Sequence, residues 1–244
     1  MDIALTEKVS NAMNLAYRSN EKEILDDFDL QGNDLSENLR ELKSVNTYLG
    51  GYSVVMNGLK TIFKRKPEQQ NWHIVDVGCG GGDTLREVDH VFKNQNIKIK
   101  LTGVDANSHA IAFSRQESLA TPEIEYRMQN IFSKEFEENK ADIYLFNLFL
   151  HHFEDDEILR IIKNCNAQGA VILINDLQRS SLPYHLFRLT SKLLRFSRIS
   201  RHDGLLSIKK AFTRADWKRM MERAEIKTYT IEWCWAFRYR VIVY

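Results

Sequence analysis

Asp76-Val77-Gly78-Cys79-Gly80-Gly81-Gly82-Asp83 places four glycines within five residues, with an acid on either side. Glycine has no Cβ, so such a turn lets the backbone pass close to a flat, adenosine-bearing ligand. A dinucleotide fingerprint asks for Gly-x-Gly-x-x-Gly. Gly78 and Gly80 meet its first two positions, but the third falls on Asp83. A pyrophosphate needs the free N–H groups and the positive end of the helix that follows. Asp83 competes for those donors and, together with Asp76, repels phosphate. The turn suits a ligand without phosphate and with a positive centre.

Four further groups carry side chains able to do chemistry. Asp105 ends Leu101-Thr102-Gly103-Val104-Asp105, 23 residues past Gly82, where a carboxylate can hold both hydroxyls of a ribose. His151 and His152 follow the apolar run that contains Asn147. Asn175-Asp176 ends another apolar run. Arg201-His202-Asp203-Gly204 sets a histidine beside an acid in an expected glycine-containing loop, a pattern that suits a general base. Asn147 and the Asn-Asp pair offer too few carboxylates for magnesium, so no metal is expected.

The elements that must position these groups follow from periodicity. Residues 1 to about 65 read as helical, with Leu35, Leu39, Leu42, Val45, Leu49 and Val54 at near-helical spacing and Gly50-Gly51 as an interruption. The polar link 64–70 marks a boundary, which gives an N-terminal helical cap over 1–70 and a second domain over 71–244. From residue 72 strand and helix patterns alternate. Strands are expected at 73–77, 98–104, 124–129, 141–147 and 170–176, and helices at 83–93, 107–118 and 155–164. Nearly all-apolar strands suit a parallel sheet covered on both faces. Thr213 is the expected N-cap of a helix over 213–224. Runs 226–235 and 237–244, joined at Ala236, leave room only for an antiparallel pair. The fold expected is α/β: a Rossmann-like three-layer sandwich with a mostly parallel seven-stranded sheet, an antiparallel terminal hairpin, N-terminal helices and a helical lid insert at about 178–212.

Composition excludes several classes. The 244 residues carry a net charge of +1, so bulk charge points to no polyanionic partner. Cys79, Cys165 and Cys234 form neither a zinc spacing nor a disulfide framework. No run approaches the roughly 18 apolar residues of a membrane span. The first residues lack a basic-then-apolar signal, so a cytoplasmic protein is expected. Charge is uneven, however: residues 179–223 hold twelve Lys/Arg against three Asp/Glu, about +9.

The glycine turn resembles motif I of the class I, seven-stranded S-adenosylmethionine-dependent methyltransferases, and the resemblance runs through most of 72–244. It implies that Asp76, Gly78, Gly80 and Gly82 shape the cofactor turn and that Asp105, with Ala106 beside it, binds the ribose. At the third strand the family usually has an aspartate that accepts from the adenine amino group. Here that position is Asn130, whose amide oxygen can accept, with Ile131 N–H facing the ring. The stretch Ala141 to His152, which includes Asn147, resembles the fourth-strand motif of the small-molecule branch, in which a Leu-His-His follows the strand in quinone-biosynthesis and polyketide-associated enzymes.

That resemblance implies methyl transfer to a small aromatic, quinone-like or polyketide-type acceptor, lipophilic or carrier-linked. O-methylation is the first reading and C-methylation the second. His152 or His202 is the expected base, with Asp176 as orienter and His151 as a further catalytic candidate, one histidine of the 151–152 pair facing the substrate while the other packs. The basic insert reads in three ways: an apolar lid, a helix resting on a membrane surface, or a packed helix with solvated arginines. Two rivals stand outside this class. A nucleic-acid methyltransferase would use the basic surface for phosphates, but Asn147-Leu148-Phe149-Leu150 is not an Asn-Pro-Pro-Tyr motif, so no nucleic-acid partner is expected. The other rival is a non-catalytic cofactor binder.

Overall fold

The computed structural model describes residues 15–244. The segment 1–14, which falls within the expected N-terminal helix, lies outside the described residues. Seven strands form one sheet in the order β3-β2-β1-β4-β5-β7-β6. They are β1 (Asn71–Val77), β2 (Lys98–Asp105), β3 (Glu125–Met128), β4 (Ile143–Asn147), β5 (Val171–Leu177), β6 (Tyr229–Cys234) and β7 (Arg238–Val243). The first five are parallel, and β7 runs antiparallel to both β5 and β6. This is the expected doubly covered sheet with its terminal hairpin.

Alternate residues of the central strands feed two cores, because successive side chains of a strand point to opposite faces. Ile74, Leu101, Ile143, Leu145 and Leu173 pack against α2 (Gly51–Arg65) and α3 (Asp83–Phe92) through Val55, Leu59, Ile62, Leu85 and Val88. Val75, Phe146, Ile172, Ile174 and Val241 pack against α6 (Asp155–Ala167) and α9 (Arg214–Arg223) through Ile158, Ile162, Trp217 and Met220. The segment expected as a separate cap therefore supplies one layer of the sandwich: α2 shares its core with β1 and β5. In α2, Gly58 faces the Leu173 side chain at a distance no Cβ would tolerate, so the helix lies directly on the sheet. The short helix α5 (Lys134–Glu137) was not anticipated.

Two expectations for the helical parts need correction. Residues 15–31 are not helical apart from one 3-10 turn, Ile24–Asp26. They form a strap, and α1 (Gly32–Tyr48) begins only after it. Many of the strap's polar side chains bond to other segments, so a single amphipathic face does not describe it. The insert contains two helices, α7 (Ser181–Leu193) and α8 (Arg198–Lys210), rather than one helix followed by a glycine loop. Gly204 lies inside α8, where the Phe187 ring of α7 rests in the place a Cβ would take. The helix α4 (Ser108–Glu117) packs against α1 through Ala110, Leu35 and Leu39. Thr213 caps α9 as expected, accepting from Asp216 N–H. Among the described residues no helix is long and apolar enough to cross a membrane.

Candidate functional site

One cavity of about 1120 Å³ opens at the carboxyl ends of β1, β2, β4 and β5, where ligands of open α/β sheets sit. Its floor is the glycine turn. Gly78, Gly80 and Gly82 have φ of 69°, 50° and 72°, the left-handed region that favours glycine. A Cβ on Gly82 would also meet the Tyr126 ring. Gly82 itself lies outside the cavity lining; it starts α3 and makes room for Tyr126.

Asp76, Asp83 and Asp105 converge on this turn. Asp105 accepts from Gly80 N–H at 2.9 Å and from Asn107 N–H at 2.9 Å. Asp83 accepts from the Tyr52 hydroxyl at 2.8 Å and from Asn46 at 3.4 Å, which brings α1 and α2 to the turn. Asp76 is 2% exposed, and its Oδ1 has no hydrogen-bond partner. Burial, and then the charges of Asp83 and Asp105, push the Asp76 carboxyl well above its ordinary range. A buried wall of carboxylates, one with an unused oxygen, complements a cationic ligand. It fits a sulfonium with an amino group, and it does not fit a pyrophosphate.

Ala106, Asn130, Ile131 and Asn147 also line the cavity. Asn130 Oδ1 accepts from Phe132 N–H at 2.9 Å, the local turn bond open to an asparagine there. Asn147 donates to Thr84 Oγ1 at 2.9 Å and accepts from Asn175 at 2.7 Å. Beyond β4, Leu148 takes φ of 55° and turns the chain into the 3-10 helix Leu150–His152.

The two histidines follow, each with its own carboxylate. His151 is buried, and its Nδ1 lies 2.7 Å from Asp176 Oδ1. Asp176 also accepts from His151 N–H, and it sits behind the histidine, outside the cavity lining. Burial opposes ionisation of Asp176, but the charge and hydrogen bond of His151 outweigh it and hold the carboxyl below its ordinary value. His152 is partly open to the cavity, with Nδ1 2.6 Å from Asp26 Oδ1 on the strap. Burial lowers the basicity of His152, yet Glu23 and Asp26 overcome this and raise its pKa above the usual imidazole value. Asp176, expected to orient the base, is thus the partner of His151, while His152 is held by a residue of the strap.

His202 stands apart. It lies on α8 with about half of its side chain exposed, outside the cavity lining. Its neighbour Asp203 faces inward and accepts from Ile24 N–H and Leu25 N–H at 3.0 Å. The acid of the Arg-His-Asp-Gly motif therefore pins the strap. Lys210, also on α8, approaches Asp26 at 3.3 Å and Glu23 at 3.6 Å. Donor atoms of Glu23, His151 and His152 lie within 4.8 Å of one another, a grouping with metal-ligand composition, and the Lys210 ammonium supplies positive charge beside it.

Sequence reasoning missed Glu23, Asp26, Lys210 and Arg238. The first two sit in Glu21-Lys22-Glu23-Ile24-Leu25-Asp26-Asp27, which reads as a solvated charge run. Arg238 did leave a signal: a charge inside the run 237–244, expected as a strand.

Residues 68–225, more than half of the chain, match the family model described as a methyltransferase domain. The chain belongs to this family. The carboxylate-lined glycine turn fits S-adenosylmethionine, the methyl donor of such domains. A norreticuline-7-O-methyltransferase from Papaver somniferum is 32% identical over 126 residues, 49% of this chain and 32% of that protein's length. The plantazolicin methyltransferase BpumL, solved with a desmethylplantazolicin analogue and S-adenosylhomocysteine, aligns with a TM-score of 0.59 at 15% identity over 80% of this chain and 73% of its own. The CurJ carbon methyltransferase aligns with a TM-score of 0.58 at 13% identity over 79% of this chain and 53% of its own. The likeness to these two structures is one of fold.

Proposed function

We propose that this methyltransferase methylates an oxygen of a small phenolic or enolic acceptor and that His152 is the base. The observation that carries this reading is the His152–Asp26 pair on the cavity wall. A carboxylate on Nδ1 accepts that nitrogen's proton in a hydrogen bond, which leaves Nε2 to take a proton from the acceptor. Asp26 and Glu23 raise the basicity of the ring toward the working range of a general base. Phe149 packs against His152 and keeps the ring in place.

When bound, S-adenosylmethionine supplies a methyl on a sulfonium whose leaving thioether is neutral and needs no acid. The remaining work is positioning: the acceptor oxygen must lie about 3–3.5 Å from the methyl and in line with it. Leu186, Phe187, Phe196 and Ile208 of the insert line the cavity, together with Phe28 and Leu42. This apolar wall supports a lipophilic acceptor, free or carried on a partner. The insert serves as a lid through Pro183, Leu186 and Phe187, while Leu182, Leu189, Leu193 and Leu194 face outward. Those leucines and the exposed Arg188, Lys192, Arg195 and Arg198 support peripheral contact with a membrane surface by a protein of the cytoplasm. The O-methyltransferase named above supports oxygen as the target, and a carbon acceptor activated by the same base is the second reading.

The test is a panel of alkylated phenols, quinols and enolic compounds with labelled donor. Transfer to a hydroxyl that falls about 10²–10⁴-fold in His152→Ala supports the reading. Wild-type turnover in that variant rejects it, and transfer to carbon or to tRNA selects a rival.

A further inference from the structure

Arg238 opens β7 with its side chain 1% exposed on the wall of the cavity. Its Nε and Nη1 have no hydrogen-bond partner among the described residues. Nη2 reaches only Asn46 Oδ1, a neutral acceptor, at 3.5 Å. The other buried cations of the cavity are paired, Arg179 with Asp216 and Lys210 with Glu23 and Asp26, and the partly buried Arg18 pairs with Asp155. A buried guanidinium is costly unless an anion meets it, and its planar fork matches a carboxylate.

The surroundings identify the anion. Asn46 joins Arg238 to Asp83, since its amide also donates to that acid at 3.4 Å. Only one side chain therefore separates the guanidinium from the end of the glycine turn. One buried oxygen on this wall also lacks a partner, Asp76 Oδ1, and a second, Asn175 Oδ1, lies just behind the wall on the residue that donates to Asn147 at the end of β4. Unused acceptors beside an unused double donor complement an ammonium and a carboxylate borne on one carbon. We propose that Arg238 is the anchor for the carboxylate of the donor's methionine end, with Nε and Nη1 donating to its two oxygens. The inference rests on S-adenosylmethionine as donor and is independent of the acceptor and of His152.

Calorimetric titration of the full chain with S-adenosylhomocysteine and with 5′-methylthioadenosine tests it. The second probe keeps the adenosine and thioether but lacks the amino acid end. Arg238→Gln should weaken S-adenosylhomocysteine by about 10- to 100-fold and leave methylthioadenosine within about 2-fold. Arg238→Lys should fall between, because it keeps the charge and loses the fork. The ligand-free Arg238→Gln protein should melt no lower than wild type, since it loses an unpaired buried charge, while its melting shift with S-adenosylhomocysteine shrinks. Unchanged S-adenosylhomocysteine affinity overturns the proposal and places the anion on the acceptor. Equal losses for both probes, or a lower ligand-free melting temperature, overturn it in favour of a structural role. The lysine variant carries the same comparison if the glutamine variant does not fold.

Discussion

On the proposed donor side of the cavity, Asp76, Gly78, Gly80 and Asp83 come from eight consecutive residues, and Asp105 follows at the end of the neighbouring strand. On the acceptor side, Asp26 reaches a histidine 126 positions away, and Asp203 reaches the strap across 179. Backbone geometry builds the first region; side chains from four separate segments build the second. The difference teaches which parts tolerate change. A strand-turn-helix unit keeps its shape wherever its strands pair, whereas a dyad split between a strap and a 3-10 turn survives only while α8 holds the strap down.

The largest effect should come from removing the proposed base. His152→Ala should lower turnover about 10²–10⁴-fold on an acceptor found in the panel while S-adenosylhomocysteine affinity stays within about 2-fold; a matching loss of affinity would erase the distinction between the two sides. Gly82→Ala is its counterpart on the donor side. It forces a Cβ toward Tyr126 at positive φ and should cost about 1–3 kcal/mol in denaturant unfolding, with cofactor affinity falling along with stability.

Asp26→Asn should act more gently and through pH. Loss of the carboxylate lowers the pKa of His152, so the rise of turnover with pH should move to lower pH and its plateau should drop. The same pair sets a stability window. The raised pKa of His152 stabilises below its ordinary value and is lost as pH rises through the raised one. The lowered pKa of Asp26 stabilises above its ordinary value and is lost as pH falls through the lowered one. Burial opposes ionisation of Asp26, but His152 outweighs it. Hydrogen-exchange protection of the strap should therefore peak between these limits in wild type and flatten in Asp26→Asn.

The smallest effect on the fold should come from Leu189→Glu with Leu193→Glu, at side chains 67% and 78% exposed. Stability should change by about 0.5 kcal/mol or less. Co-sedimentation with anionic vesicles should decrease while turnover on a water-soluble acceptor holds; wild-type protein that ignores such vesicles would remove membrane contact from the reading.

Strand positions, the sheet class and the terminal hairpin were legible because short continuous apolar runs report burial on both faces directly. The glycine turn and Asp105 were legible because their chemistry is local. The strap was not, because Glu23 and Asp26 look like surface charges until α8 and the histidines surround them. His202 misled for the reverse reason. A histidine next to an acid suggests a catalytic dyad, and His202 Nδ1 does lie 2.7 Å from Asp203 Oδ1, but Asp203 is also engaged with the backbone of residues 24 and 25 and the His202 ring stays outside the cavity.

The sequence by itself determined the order of strands and a glycine turn hostile to phosphate, since local geometry and adjacent charges suffice for both. Only the tertiary structure decided that Asp26 holds His152, that Asp176 holds His151, and that Arg238 stands unpaired beside the turn. Those relations depend on which distant side chains meet in a buried space, where each charge must find its partner once water is gone.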